Sequence, residues 1–157
     1  MALRNIVVEG DEILRKQCRN VGEVTERIQT ILDDMLETMR DAMGVGIAAP
    51  QIGIMRRMFV AEPEPGRVYY FVDPEITMQE GCVEDEEGCL SVPGYSGLVE
   101  RPQKITIRGL GRDGEMQEYT FEDFDARVMC HEYDHLDGIL YKDKAKEMHE
   151  ITEEDVE

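Results

Sequence analysis

His131 and His135 stand one helical turn apart, with Glu132 beside the first of them, in the run His131-Glu132-Tyr133-Asp134-His135. Two imidazoles at that spacing can share a divalent metal, and the carboxylate can handle the proton of a water held there. A second segment, Glu87-Gly88-Cys89-Leu90-Ser91, offers a thiol next to a glycine that lets the backbone approach a partner. Two His and one Cys would leave a fourth position open, the arrangement of a catalytic and not a structural site. The chemistry implied is metal-assisted hydrolysis with a general base.

A helix turns about 100° per residue, so His135 lies about 40° around from His131 and one metal can reach both rings. Glu132 falls to one side, near enough to hold a water without ligating the metal. Asp134 falls on the other side, where it could orient a ligand histidine. Cys130 points away and reads as a small core residue. Phe124 and Val128 lie near the metal direction on earlier turns and predict an apolar wall. Met129, Tyr133 and Leu136 fall on the opposite face, so both sides of this helix should be buried. The residues alone leave the third ligand open: Cys89 has the most suitable surroundings, while Cys18 and Cys82 lie in polar stretches and His149 in the acidic tail.

The elements that must position these groups are legible in part. Ile28, Ile31, Leu32, Met35, Leu36, Met39 and Met43 form one stripe, which predicts a helix over 25–43 with Thr25 as N-cap and Gly44 at its stop. A short helical turn is expected over 11–16. Strands are expected over 57–61, 68–72, 104–110 and 117–121, the last two joined by an Asp113-Gly114 hairpin. The histidine helix should run over 124–137 and close at Gly138. Between the first helix and the first strand, Gly44-Val45-Gly46-Ile47-Ala48-Ala49-Pro50-Gln51 matches a loose dinucleotide-binding pattern. It follows a helix and carries a proline, so it reads instead as an extended segment making a close backbone approach, with Gln51 as an amide donor. Helix, many strands, helix is the order of an α+β fold.

The chain's 157 residues suffice for one domain with a real core, and 17 basic against 35 acidic side chains give a net charge of −18. That charge argues against a broad phosphate-binding face, so no direct nucleic-acid binding is expected. No apolar stretch is long enough for a membrane span, and the N-terminus lacks a secretion signal, so a cytoplasmic location is expected. There the four cysteines should be thiols, ligands or core residues. The acidic tail over 147–157 should fray.

Taken together, Gly44-x-Gly46-x-Ala48-Ala49-x-Gln51, Glu87-Gly88-Cys89-Leu90-Ser91 and His131-Glu132-x-Asp134-His135 closely resemble the three signature motifs of the peptide deformylases. The resemblance covers nearly the whole chain. It implies a single catalytic domain over 1–157, with antiparallel sheets packed around the central metal-binding helix and the N-terminal helix alongside. It implies removal of the formyl group from the N-terminal formylmethionine of nascent chains, releasing formate. By motif position, Cys89, His131 and His135 would be the ligands and Glu132 the acid/base. Gln51 and the Leu90 amide would bind the formyl oxygen. Gly46 would pair with the substrate backbone, Val45 would also bind substrate, and Phe124, Arg127 and Val128 would fall at the pocket for the methionine side chain. The metal would be Fe²⁺ in the cell, with Zn²⁺, Ni²⁺ or Co²⁺ as substitutes. Partners would be N-formylmethionyl peptides and, transiently, the ribosome, for a monomer or weak dimer. Glu87 and Arg101 are expected to pair and hold the cysteine segment. Some members carry a long basic C-terminal helix; the short acidic stretch after Lys146 does not match it.

Two other readings compete. A zinc peptidase built on the histidine motif would take a His or Glu as third ligand. A non-enzymatic metal or redox module would have no use for Glu132 or Gln51.

Overall fold

The computed structural model describes residues 2–151. The N-terminal stripe folds as helix α1, Glu26–Asp41, with the Thr25 hydroxyl accepting from the Ile28 N–H. The helix ends at Asp41, three residues before the expected glycine. Met43 takes the left-handed turn at φ 57° and is 91% exposed, and the Gly44 N–H then donates to the Met39 carbonyl. Among the described residues, seven strands precede the second helix and an eighth follows it: β1 Gly46–Ala48, β2 Met58–Glu64, β3 Arg67–Glu80, β4 Val83–Cys89, β5 Val92–Arg101, β6 Lys104–Leu110, β7 Met116–Glu122 and β8 Met148–Glu150. They form a five-stranded sheet, ordered β1-β2-β3-β6-β7, and a three-stranded sheet, ordered β4-β5-β8, all with antiparallel pairings. Helix α2, Asp123–His135, carries the histidines. The architecture is α+β.

Alternation along the strands explains the two core layers. On β2, Met58 and Val60 face α1 and pack with Leu32, Met35 and Met39, while Phe59 and Ala61 face α2 and pack with Met129 and Leu136. The five-stranded sheet is therefore buried on both faces, and α2 lies between it and the smaller sheet, as the two-faced pattern of its sequence required. Gly138 ends the segment after α2 at φ 75°. A Cβ there would come within 2.5 Å of the Arg15 carbonyl, so the turn admits nothing larger than glycine. The Asp-Gly hairpin joins β6 to β7, with the Gly111 N–H donating to Glu115 and Gly114 at φ 82°.

Two expectations are corrected. β4 and β5 do not appear among the strands expected from sequence, because Val83-Glu84-Asp85-Glu86 is exposed and acidic and β5 carries Gly94 and Gly97; neither shows apolar alternation. The tail was expected to fray from 147, but Met148–Glu150 pairs with β5, His149 opposite Ser96, and the two side chains bond at 2.8 Å. The remainder of that expectation, 152–157, lies outside the described residues. No helix among the described residues is long and apolar enough to cross a membrane.

Candidate active site

The three sequence segments converge on one cavity of about 340 Å³, the size of a small-ligand site. β1 and its preceding turn supply Met43 to Gly46, the end of β4 and the reversal after it supply Cys89 and Leu90, and α2 supplies Phe124, Arg127, Val128, His131 and Glu132. His135 lies behind that lining, 1% exposed. Cys89 is the last residue of β4, and the chain reverses at Leu90 and Ser91 into β5.

Cys89 Sγ, His131 and His135 offer ligand atoms all within 4.8 Å of one another. The Cys89 Sγ to His135 Nε2 separation is 3.4 Å. Metal–sulfur and metal–nitrogen bonds of ordinary length at a tetrahedral angle would put these atoms roughly 3.6 Å apart, so the donor set fits a divalent ion. The other cysteines do not join it. Cys130 is buried in the core, and burial pushes its thiol up to about 11. Cys18 is likewise pushed up to about 11 by burial. Cys82 is exposed. His149 is held at Ser96.

Glu132 is buried, and its Oε1 has no protein partner. Burial pushes its carboxyl up to about 7, a value suited to exchanging a proton near neutral pH. The other face of the same carboxylate rests on Gly46: a Cβ there would come within 2.5 Å of Glu132 Oε2. This is the close backbone approach that the glycine segment suggested. Gln51 is oriented by its own segment, because the Ala48 N–H donates to its Oε1 at 2.8 Å. Its Nε2 is thereby directed toward the site, 3.1 Å from Ser91 Oγ and 3.6 Å from Cys89 Sγ.

The residue that orients His131 is not Asp134, as helical geometry suggested, but Glu87. His131 Nδ1 lies 2.8 Å from Glu87 Oε1. Asp134 turns instead to Arg101 at 2.6 Å and Lys144 at 2.9 Å. A wheel places a side chain around its own helix; it does not know that a strand brings a carboxylate to the opposite side. Glu87 also receives Arg101 through Nε and Nη2 at 2.8 and 2.9 Å, the pairing expected from sequence, and Arg127 at 2.6 Å. Burial opposes its charge, but Arg101 and His131 hold its carboxyl well below the usual range. Burial also opposes a charge on His131, yet Cys89, Glu132 and Glu87 raise its affinity for a proton well above the ordinary value. Surroundings that favour a proton there favour a metal cation for the same electrostatic reason. Tyr141, unremarked in the sequence, stacks on the His131 ring at 5.8 Å between centroids.

The proposed methionine-pocket residues divide. Val128 is buried in the cavity wall, whereas Phe124 is 52% exposed and stands at the mouth. Arg127 lines the cavity, but its guanidinium is spent on Glu87, the Val99 carbonyl and the Val83 carbonyl.

The family model described as polypeptide deformylase matches residues 3–150. A peptide deformylase of Agathobacter rectalis is 49% identical over 158 aligned residues, covering 100% of this chain and 99% of its own. One of Clostridium botulinum is 49% identical over 144 residues, covering 92% of this chain and 97% of its own. Among solved structures, a peptide deformylase from Thermotoga maritima superposes with a TM-score of 0.90 at 36% identity, covering 94% of this chain and 100% of that one. The chain belongs to the polypeptide deformylase family.

Proposed function

We propose that Glu132 is the acid/base of this enzyme, with Cys89, His131 and His135 holding one divalent ion. The reaction is the family's: hydrolysis of the formyl amide on the N-terminal methionine of nascent chains, with release of formate. A bound ion there would act as a Lewis acid, making a water acidic and polarising the formyl oxygen. Glu132, raised by burial, takes the water's proton and returns it to the departing amine nitrogen. Gln51, its oxygen fixed by Ala48, and the Leu90 N–H donate to the formyl oxygen as charge gathers on it. Gly46 and Val45 run along the substrate backbone, with Val128, Phe124 and Arg127 around the methionine side chain. The single observation that carries this reading is the unpartnered, buried Oε1 of Glu132, a residue that lines the same cavity as Cys89 and His131 of the Cys-His-His cluster.

We assign Fe²⁺ as the ion in the cell, with Zn²⁺, Ni²⁺ or Co²⁺ as working substitutes, since a thiolate and two imidazoles suit all four. The enzyme acts in the cytoplasm, where nascent chains emerge, as a monomer or weak dimer. Its net charge of −18 opposes RNA phosphates and keeps contact with the ribosome brief. Formate release from formyl-Met-Ala-Ser by anaerobically purified protein tests the reading. Glu132→Ala should lower kcat by about a hundredfold or more while retaining metal. Metal loss in Cys89→Ala but not in Cys82→Ala or Cys130→Ala checks the ligands. A fully iron-loaded protein that releases no formate would sink the proposal.

A further inference from the structure

Five residues lining the cavity are large, apolar and exposed: Met43, Val45, Tyr95, Phe124 and Ile151. Isolated apolar side chains are ordinary on a surface, but a collar of them around one cavity marks a contact surface. Two of the five, Tyr95 on β5 and Ile151 just after β8, belong to no signature motif and sit at the three-stranded sheet. Tyr95 lies opposite Glu150 in the β5–β8 pairing. The Ile151 N–H donates to the Gly94 carbonyl at 2.8 Å, which carries the chain beyond β8 onto the cavity rim. Ile151 is 39% and Tyr95 45% exposed, so each has apolar surface left to give a ligand.

We propose that Ile151 and Tyr95 form an outer wall of the substrate groove that grips the side chains just after formylmethionine, selecting chains with large aliphatic residues there. This rests on the deformylase reading, which places the formyl group at Glu132 and the ligand cluster. An extended peptide advances about 3.3 Å per residue. The residues after methionine must therefore pass through the mouth of the same cavity, where the collar stands. The wall is built by pairing β8 to β5, not by any catalytic residue. It should act on substrate binding more than on the chemical step.

The test is kcat and KM of the metal-loaded enzyme on formyl-Met-Leu-Leu and formyl-Met-Gly-Gly. The unaltered protein should favour the leucine peptide in kcat/KM. Ile151→Ser and Tyr95→Ser should each shrink that preference on the order of threefold to tenfold, chiefly through KM. Ile151→Leu should retain it, and Met116→Ser, exposed on β7, should leave it unaltered. A preference absent from the unaltered enzyme, or undiminished in both serine variants, overturns the inference while leaving deformylation intact. Failure to release formate from either peptide overturns the deformylase reading and this inference with it.

Discussion

Against the five-stranded sheet, α2 presents Met129, Ala126 and Leu136 to Phe59, Phe71 and Ile107, all buried and all apolar. Against the three-stranded sheet the same helix presents Arg127, His131 and Asp134 to Glu87 and Arg101, all buried and all polar. Two guanidinium groups there meet two carboxylates, so the layer carries no large net charge although each member is costly to bury alone. Apolar packing tolerates small slides of one element over another. Bidentate bonds such as Arg101 to Glu87 do not, because they fix direction as well as distance. The apolar side supplies the burial on which α2 depends. The charged side sets where β4, and with it Cys89, stands relative to the two histidines.

The contrast is broken most severely by Arg101→Met. Glu87 and Asp134 would be left buried without their shared partner, at a cost of about 3–5 kcal/mol, measurable by urea unfolding. Metal bound per chain should fall in the same variant, since the strand bearing Cys89 loses its anchor to α2. Full metal content in a destabilised Arg101→Met would reduce the layer to a purely structural role.

Met129→Ala probes the other face. The cavity left under α2 should cost about 3 kcal/mol. Metal stoichiometry of the folded protein should stay at its original value, because apolar packing does not fix the cysteine. Metal loss here comparable to that of Arg101→Met would erase the distinction between the two faces.

The smallest effect sharpens the comparison away from the site. Asp34 on α1 is also a buried carboxylate held by a guanidinium, accepting from the Ala2 N–H at 2.7 Å and from Arg4 at 3.0 and 2.8 Å. Burial pushes its carboxyl up, but these donors outweigh it and hold it below its ordinary 3.8. A lowered folded value gives stability that is present above pH 3.8 and lost as pH falls through the folded value. Asp34→Asn should cost about 1 kcal/mol near neutral pH and flatten the acid limb of the stability profile, with metal content unaltered. An acid limb identical to that of the unaltered chain would show that Asp34 plays no part in it.

The stripe of α1, its Thr25 cap, β6 and the Asp-Gly hairpin were legible because local period, capping and turn chemistry each point to one answer. β4 was not, since Val83-Glu84-Asp85-Glu86 resembles a solvated loop and is held as a strand by its pairing with β5. β8 was hidden for the same reason, with all three residues exposed. In the site, the two histidines and Glu132 stood out by spacing, while Cys89 was singled out as the third ligand only by the motif resemblance. The partner of His131 could not, because Glu87 is 44 residues away and reaches it only through sheet pairing.

The sequence by itself supplied the groups that we propose react: two imidazoles, a thiol, a carboxylate and an amide, in three motifs that resemble those of the family. Residue type fixes what a group can ligate, donate or accept, and helical period fixes which neighbours share a face. Tertiary structure alone decided what surrounds those groups. It set Glu87 behind His131, pressed Glu132 onto Gly46, turned Gln51 toward Cys89, and brought Ile151 to the rim. Those relations come from burial and strand pairing between segments far apart in the chain, where local periodicity carries no information.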